Sequence, residues 1–334
     1  MIIRMPKSRK TQICYEATPY YHCVSRCVRR AFLCGVDDFS GRNYEHRRQW
    51  IEDRLLQLAE VFCIDICAYA VMNNHTHIVL HVDLKKVQSL TTEEVLSRWC
   101  SLFNGSYKVQ CYLNANLRKN MNKSDLEQVE DDVSEYRNRL SSVSWFMRSL
   151  NEYIARKANE EDKCTGRFWE GRFKSQPLLD GAAVAACMAY NDLNPLRAGM
   201  VESVEQSSHT SIKRRMLFNQ RDNKNHGLMP FADESRGERV NSDASCLPFT
   251  EDAYLALLKE AQHQINNEAS LANESCQKAL FEAFGLTFTN WMQLATNFES
   301  LFSGPVGNEM AMRAFQDRVG LQRLVGITAC KLLS

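Results

Sequence analysis

The chain has 334 residues, 44% of them apolar and 24% charged, with 41 Lys+Arg against 40 Asp+Glu and a formal net charge of +1. This composition excludes collagen, a long coiled coil and wholesale disorder, and the length allows one large domain or two ordinary ones with a substantial core. No apolar run approaches the ~18–20 residues that span a bilayer, and the basic start Met1–Lys10 lacks a signal peptide's apolar centre, so a cytoplasmic protein without membrane contact is expected.

After a basic leader, Pro19–Cys27 is rich in aromatic and β-prone residues and reads as a strand. From Tyr44 to Phe62 the apolar Trp50, Ile51, Leu55, Leu58 and Phe62 recur at helical spacing, with Arg47, Arg48, Glu52 and Asp53 elsewhere on the helix. Cys63–Met72 is a second strand, Asn73-Asn74 a turn, and His75–Val82 a third strand that should pair antiparallel with the second. Residues 84–140 interrupt this pattern. They contain a capping box at Thr91 and Glu94 that starts a helix through Leu102, then a polar stretch, Asn114 to Asn138, expected as a helical surface insertion. An amphipathic helix starts at Val143, with Phe146, Met147, Leu150 and Ile154 on one face.

Gly166–Gln176 has two aromatic arms around Glu170-Gly171 and reads as a hairpin. Asp180 is a candidate N-cap for an Ala-rich helix, Gly181 to Asn194, that Pro195 should end. The expected organisation is an α+β unit over 1–204, a polar linker over 205–248, and a helical C-terminal region over 249–334 with helices at Phe249–Asn266, Phe288–Leu301 and Asn308–Leu333.

Thirteen cysteines spread along the chain argue against a complete disulfide framework. Cys23/Cys27 and Cys63/Cys67 are spaced C-x3-C without C-x2-C twins and read as small buried apolar residues. The first 50 residues hold ten Lys/Arg against four Asp/Glu, a bias compatible with nucleic acid or with solvated surface.

His75 and His77, two residues apart on a strand, leave the same face, while Thr76, Ile78, Leu80 and Val82 point to the core. Paired imidazoles on an apolar strand invite a metal; the plain alternative is two satisfied surface histidines. His81 shares that face but lies ~13 Å from His77 at ~3.3 Å per residue, too far for one coordination sphere. Tyr190 and Asn194, at i and i+4, share a helix face. Singly, they read as a half-buried core tyrosine and a helix-stop residue.

Together, Tyr69–Leu80 with its His-x-His, Gly171–Gln176, and Ala189–Gly199 with its Tyr-x-x-x-Asn-Pro-x-Arg-Ala resemble the single-tyrosine transposases of the HUH nuclease superfamily. The branch associated with repetitive extragenic palindromes is the nearest match, and His22–Arg26 looks like that family's first strand. The resemblance covers residues 15–204. It departs from the superfamily at Thr76, which is usually apolar, and in the insertion and the C-terminal region.

The resemblance implies a ferredoxin-like antiparallel sheet backed by helices and a metal-dependent nicking and strand transfer of single-stranded or hairpin DNA. It makes Tyr190 the nucleophile, forming a 5′-phosphotyrosine, and His75, His77 and Asn194 the ligands of a divalent metal, Mg²⁺ or Mn²⁺. Arg167, Arg172 and Lys174, interleaved with Phe168, Trp169 and Phe173, suit phosphate contact with base stacking. Arg26 and Arg197, in the matched segments, are further candidate DNA contacts, and Lys7, Arg9 and Lys10 could grip a hairpin stem. One tyrosine makes one cleavage, so full transposition needs two, from a homodimer or from successive reactions. The rival readings are a domesticated regulator that binds hairpin DNA with weak or no cleavage, and a zinc hydrolase, for which no ligand spacing is present.

Overall fold

In the computed structural model, residues 12–28, 33–37, 41–219, 227–232, 246–266 and 285–333 are described. Strand β1 (Tyr20–Arg26) is followed by helix α1 (Arg47–Val61) and strands β2 (Ile64–Val71) and β3 (His75–Val82). Five helices fill the insertion: α2 (Leu84–Ser89), α3 (Thr92–Cys100), α4 (Tyr107–Leu113), α5 (Ala115–Arg118) and α6 (Lys123–Leu140). Helix α7 (Val143–Glu161), strand β4 (Lys174–Leu178), helix α8 (Gly181–Asp192) and a short turn, α9 (Asn194–Arg197), come next. The C-terminal part holds α10 (Ser211–Asn219), β5 (Phe231–Ala232), β6 (Leu247–Thr250), α11 (Glu251–Ile265), α12 (Phe288–Leu301) and α13 (Glu309–Val319).

The molecule is therefore mixed α+β around one four-stranded antiparallel sheet in the order β2-β3-β1-β4. Strand alternation sets its two faces. Ile78, Leu80 and Val82 of β3, with Tyr21 and Cys23 of β1, join Leu55 and Leu58 of α1 and Phe146 and Leu150 of α7 in one core. Each such fully buried aliphatic side chain contributes ~2 kcal/mol against exposure. The other face carries Val79 and Leu178 and is covered by α8, α11 and α12, which bring Val184, Leu257, Trp291 and Phe298 into a second core.

The capping box at Thr91 and Glu94 forms as its sequence dictates, and Asp180 caps α8 by accepting from Ala183 N. Cys23, Cys27, Cys63 and Cys67 are buried and form no disulfide. Arg47, Arg48 and Glu52, expected outside the core, are buried instead, because each finds directed partners. Arg47 binds Glu161 (2.6 Å) and Asp162 (2.5 Å) at the C-terminal end of α7, Arg48 donates to Val71 O and Asn73 Oδ1, and Glu52 accepts from the Tyr69 hydroxyl at 2.7 Å. The 114–138 stretch is also less peripheral than its polarity suggests: α6 buries Val129, Val133 and Tyr136 in the first core.

Gly166–Gln176 is not a hairpin. Trp169 bridges Cys27 and Lys174–Leu178 pairs with β1, so both arms lie along one edge of β1 as an interrupted strand. The backbone groups of the two arms find partners on β1 rather than on each other. Pro177 on this outer strand costs no ladder bond, as edge positions allow. Pro195 does not throw Asn194 into extended backbone; it lies in the first turn of α9, where its missing N–H is tolerated.

The segment expected as a polar linker is packed where it is described. Helix α10 carries buried Ile212 and Arg215, and Arg215 donates to Cys67 O and Met229 O at 3.0 and 2.8 Å. The C-terminal helix expected over Asn308–Leu333 stops at Val319, where Gly320 takes the left-handed conformation (φ 69°), and a 3-10 turn follows at Ala329–Leu333. None of the helices in the described residues is long and apolar enough to cross a membrane.

Candidate functional site

Tight anchoring of the β2–β3 turn starts the site. Arg48 holds Val71 O and Asn73, and His75 then opens β3 with its Nδ1 2.6 Å from Asn74 Oδ1. Period-two alternation brings His75 and His77 to the α8 side of the sheet with ring centroids 4.7 Å apart and planes at 79°. Tyr190 descends from α8 onto the same spot: its ring lies 5.6 Å from that of His77, edge-on at 83°. Asn194, at the start of α9, is buried and its Nδ2 has no hydrogen-bond partner.

Tyr190 is 6% exposed. Arg197 stacks over its ring at 4.6 Å, and Phe298 of α12 lies 5.9 Å away on another side. The phenol donates to Glu299 Oε2 across a long 3.4 Å. Burial, then the Glu299 carboxylate, push the phenol's pKa above its ordinary value, while Arg197 pulls the other way.

Both histidines are held neutral. Burial, followed by the positive charge of Arg26, drops His75 to about 4; burial, then the neighbouring His22 and His75, drop His77 well below the ordinary imidazole range. Neutral imidazole is the state that ligates a metal. His77 Nε2 is buried with no hydrogen-bond partner, an acceptor that a cation would satisfy. Among the described residues no three His, Cys, Asp or Glu side chains cluster as a metal site, so a metal on the paired histidines would need a different third donor, the role expected of the Asn194 amide oxygen. Two imidazoles and an amide oxygen form a mixed N/O set, compatible with Mn²⁺ and, with more bound water, Mg²⁺.

A polar cavity of about 510 Å³ opens beside the pair, lined by Arg26, Cys27, Val28, Asn74, Glu170 and Lys174. Arg26 sits opposite His75 in the β1–β3 register, and Lys174 opposite Val24. Of the candidate DNA contacts, Arg26 and Lys174 thus meet at the site and Arg197 touches Tyr190. Arg167 lies apart, donating to Trp169 O and lining a second cavity of about 320 Å³ with Asp37, Arg42 and Asp162. Arg172 is exposed. Of the rings between them, Phe168 and Phe173 are buried and not available for stacking, while Trp169 is half-buried with its indole N–H donating to Asn151 O at 2.8 Å. Lys7, Arg9 and Lys10 lie outside the described residues.

Four residues at or behind the site had no role in the sequence reading. His22 and Gln176 were visible in the matched segments and share the His77 face by strand alternation. Asp192, two residues beyond Tyr190, accepts from Ser211 Oγ, Ile212 N and Tyr254 OH at 2.6, 3.0 and 2.6 Å. Glu299 lies 109 residues from Tyr190, and no local pattern announces it.

No family model matches the chain. A search of curated proteins by sequence likewise returns no match. Among solved structures, one described as a REP-associated tyrosine transposase bound to a REP hairpin is similar at 12% identity, over 64% of this chain and 87% of that one, with a TM-score of 0.38. At that TM-score the likeness carries no argument about fold or function.

Proposed function

We propose that this protein is a metal-dependent DNA strand transferase that nicks single-stranded DNA at or near a hairpin and holds the cut end on Tyr190. One observation carries the reading: segments 113 residues apart converge so that a tyrosine ring lies 5.6 Å from an imidazole, His77, whose buried Nε2 has no hydrogen-bond partner and whose ring sits beside that of His75. The motif order along the sequence supports it. The strand order β2-β3-β1-β4, all antiparallel with helical crossings after β1 and β3, supports reading the sheet as ferredoxin-like.

His75, His77 and the Asn194 amide oxygen are the proposed holders of a divalent cation, Mg²⁺ or Mn²⁺. Such a cation withdraws charge from the scissile phosphate and helps fix an in-line geometry. The remaining work belongs to the chain. Tyr190 Oη attacks phosphorus, forming the phosphotyrosine O–P bond as the bond to the 3′-oxygen breaks. The phenol's proton already points at Glu299 Oε2, which can accept it, and the departing 3′-oxygen takes a proton from water. Arg197, stacked over the phenol, favours its ionised form. Arg26 and Lys174 at the neighbouring cavity suit the flanking phosphates. Attack by a second 3′-OH reverses the step and joins strands, with the second tyrosine of a full reaction coming from another subunit or a later cycle.

The decisive experiment incubates the protein with a library of single-stranded hairpins and Mg²⁺ or Mn²⁺ and resolves covalent adducts on denaturing gels. Tyr190→Phe should abolish the adduct while DNA binding stays within about twofold; an undiminished adduct overturns the assignment. A second reading, a hairpin-binding regulator with weak or no cleavage, is favoured by the near-complete burial of Tyr190 under α12. Binding without nicking across the library and both metals would select it.

A further inference from the structure

The geometry points to a tautomer relay in which backbone carbonyls of the C-terminal segment, acting through Gln176 and His22, fix His77 with its proton on Nδ1 and its Nε2 lone pair free for a ligand. It rests on the metal-site reading above, but it concerns protons that the chain itself carries.

The relay is determined from its far end. Gln176 Nε2 lies 3.1 Å from Phe302 O and 2.7 Å from Gly304 O. Carbonyl oxygens only accept, so the nitrogen of the amide has to face them, and this fixes an orientation that an isolated glutamine would leave open. The acceptor Oε1 then meets His22 Nδ1 at 3.3 Å, so the proton of His22 is on Nδ1. A neutral imidazole has one N–H, which leaves a lone pair on His22 Nε2. That lone pair faces His77 Nδ1 at 3.1 Å, so Nδ1 of His77 carries the proton. Its Nε2 ends the chain as a buried acceptor with no hydrogen-bond partner.

The reverse polarity fails at each joint. Flipping Gln176 would set an amide oxygen against two carbonyl oxygens. A proton on His77 Nε2 would bury an unpaired donor and turn two lone pairs toward each other across 3.1 Å. The neutral state follows from enclosure: both rings are buried, where an imidazolium would lose its hydration.

The carbonyls at the far end are held in register. Val306 bridges Leu178 in parallel, Val306 N donates to Pro177 O at 2.9 Å, and Leu179 N donates to Val306 O at 2.7 Å. Residues 302–306 therefore run beside the outer strand and hold Phe302 O and Gly304 O opposite Gln176. Gln176 and His22 are positioning residues; they act through His77. Buried ligand histidines are oriented in this way by whatever their other nitrogen bonds.

The test reads the protons directly. In the metal-free full-length protein with ¹⁵N-labelled histidine, long-range proton–nitrogen spectra distinguish Nδ1–H from Nε2–H rings. His22 and His77 should both be Nδ1–H, the form that free histidine disfavours, and a His77 proton on Nε2 overturns the relay. Gln176→Met removes the acceptor at nearly constant volume. It should shift the His77 tautomer and weaken binding of Mn²⁺ alone by about 10–100-fold, with far-UV dichroism unchanged. Unchanged tautomers and a Mn²⁺ Kd within about twofold of wild type also overturn the relay. If the wild type has the stated tautomers yet binds no Mn²⁺, the relay stands and the metal reading of the site fails.

Discussion

Strand β3 runs between two different chemistries. On the α1–α7 side its Ile78, Leu80 and Val82 sit in an apolar core where contacts are non-directional and volume decides stability. On the α8–α12 side, one residue away at each step, His75, His77 and His81 are joined to Asn74, His22 and Asp65 by directional hydrogen bonds. Both faces carry a core, but the second also holds a row of hydrogen-bonded imidazoles. The difference teaches that burial alone does not mark core here: His77 is as enclosed as Ile78, yet it keeps an unpartnered nitrogen.

Substituting neighbours on β3 is the strongest way to break this contrast. His77→Ala should reduce cleavage by about 100-fold or more, at a smaller stability cost than Ile78→Ala, which should lose ~3 kcal/mol in urea unfolding and retain the metal site. Equal stability losses with equal cleavage would erase the distinction between the faces. Next in size is Asp192→Asn, which turns an amide NH₂ toward one of three buried donors. It should cost ~2 kcal/mol and speed proteolysis beyond residue 204, measured by thermal unfolding and timed digestion.

Glu299→Gln sharpens the chemistry of the second face. The Glu299 carboxylate raises the phenol's pKa, so its neutralisation lowers that pKa and should move the rising limb of the adduct-formation pH profile to lower pH. Loss of the proton acceptor should reduce the maximal rate about tenfold; a profile shifted to higher pH contradicts the arrangement. The smallest effect is expected for Lys174→Ala. Single-stranded DNA binding should weaken a few-fold and its salt slope fall by ~0.7, for one lost phosphate contact, as measured by fluorescence anisotropy at several salt concentrations.

Much of this was legible because it is local. Alternation along His75–Val82 separated the faces, the Thr91–Glu94 box started a helix, and Asp180 capped the Ala-rich helix that carries Tyr190. Legibility failed where partners are distant. Glu170-Gly171 looked like a hairpin turn because nothing nearby reveals that β1 offers both arms a better edge. Arg47 and Arg48 looked solvated because their acceptors lie at the far end of α7 and in the β2–β3 turn. Glu299, Phe302 and Gly304 reach the site from a region whose sequence reads only as helix and loop.

The three hydrogen bonds on Asp192 have a consequence for timing. Ribosomes release this chain from its amino end, so the tyrosine helix emerges before Ser211, Ile212 and Tyr254 exist to receive its terminal carboxylate, and well before α12 covers it. A half-made molecule has both imidazoles and the phenol, with α8 held by its packing against Cys67, Ala68 and Val79 of the sheet. On the proposed reading, the phenol's helix gains its last restraints only after the segments that carry Tyr254 and α12 have been made.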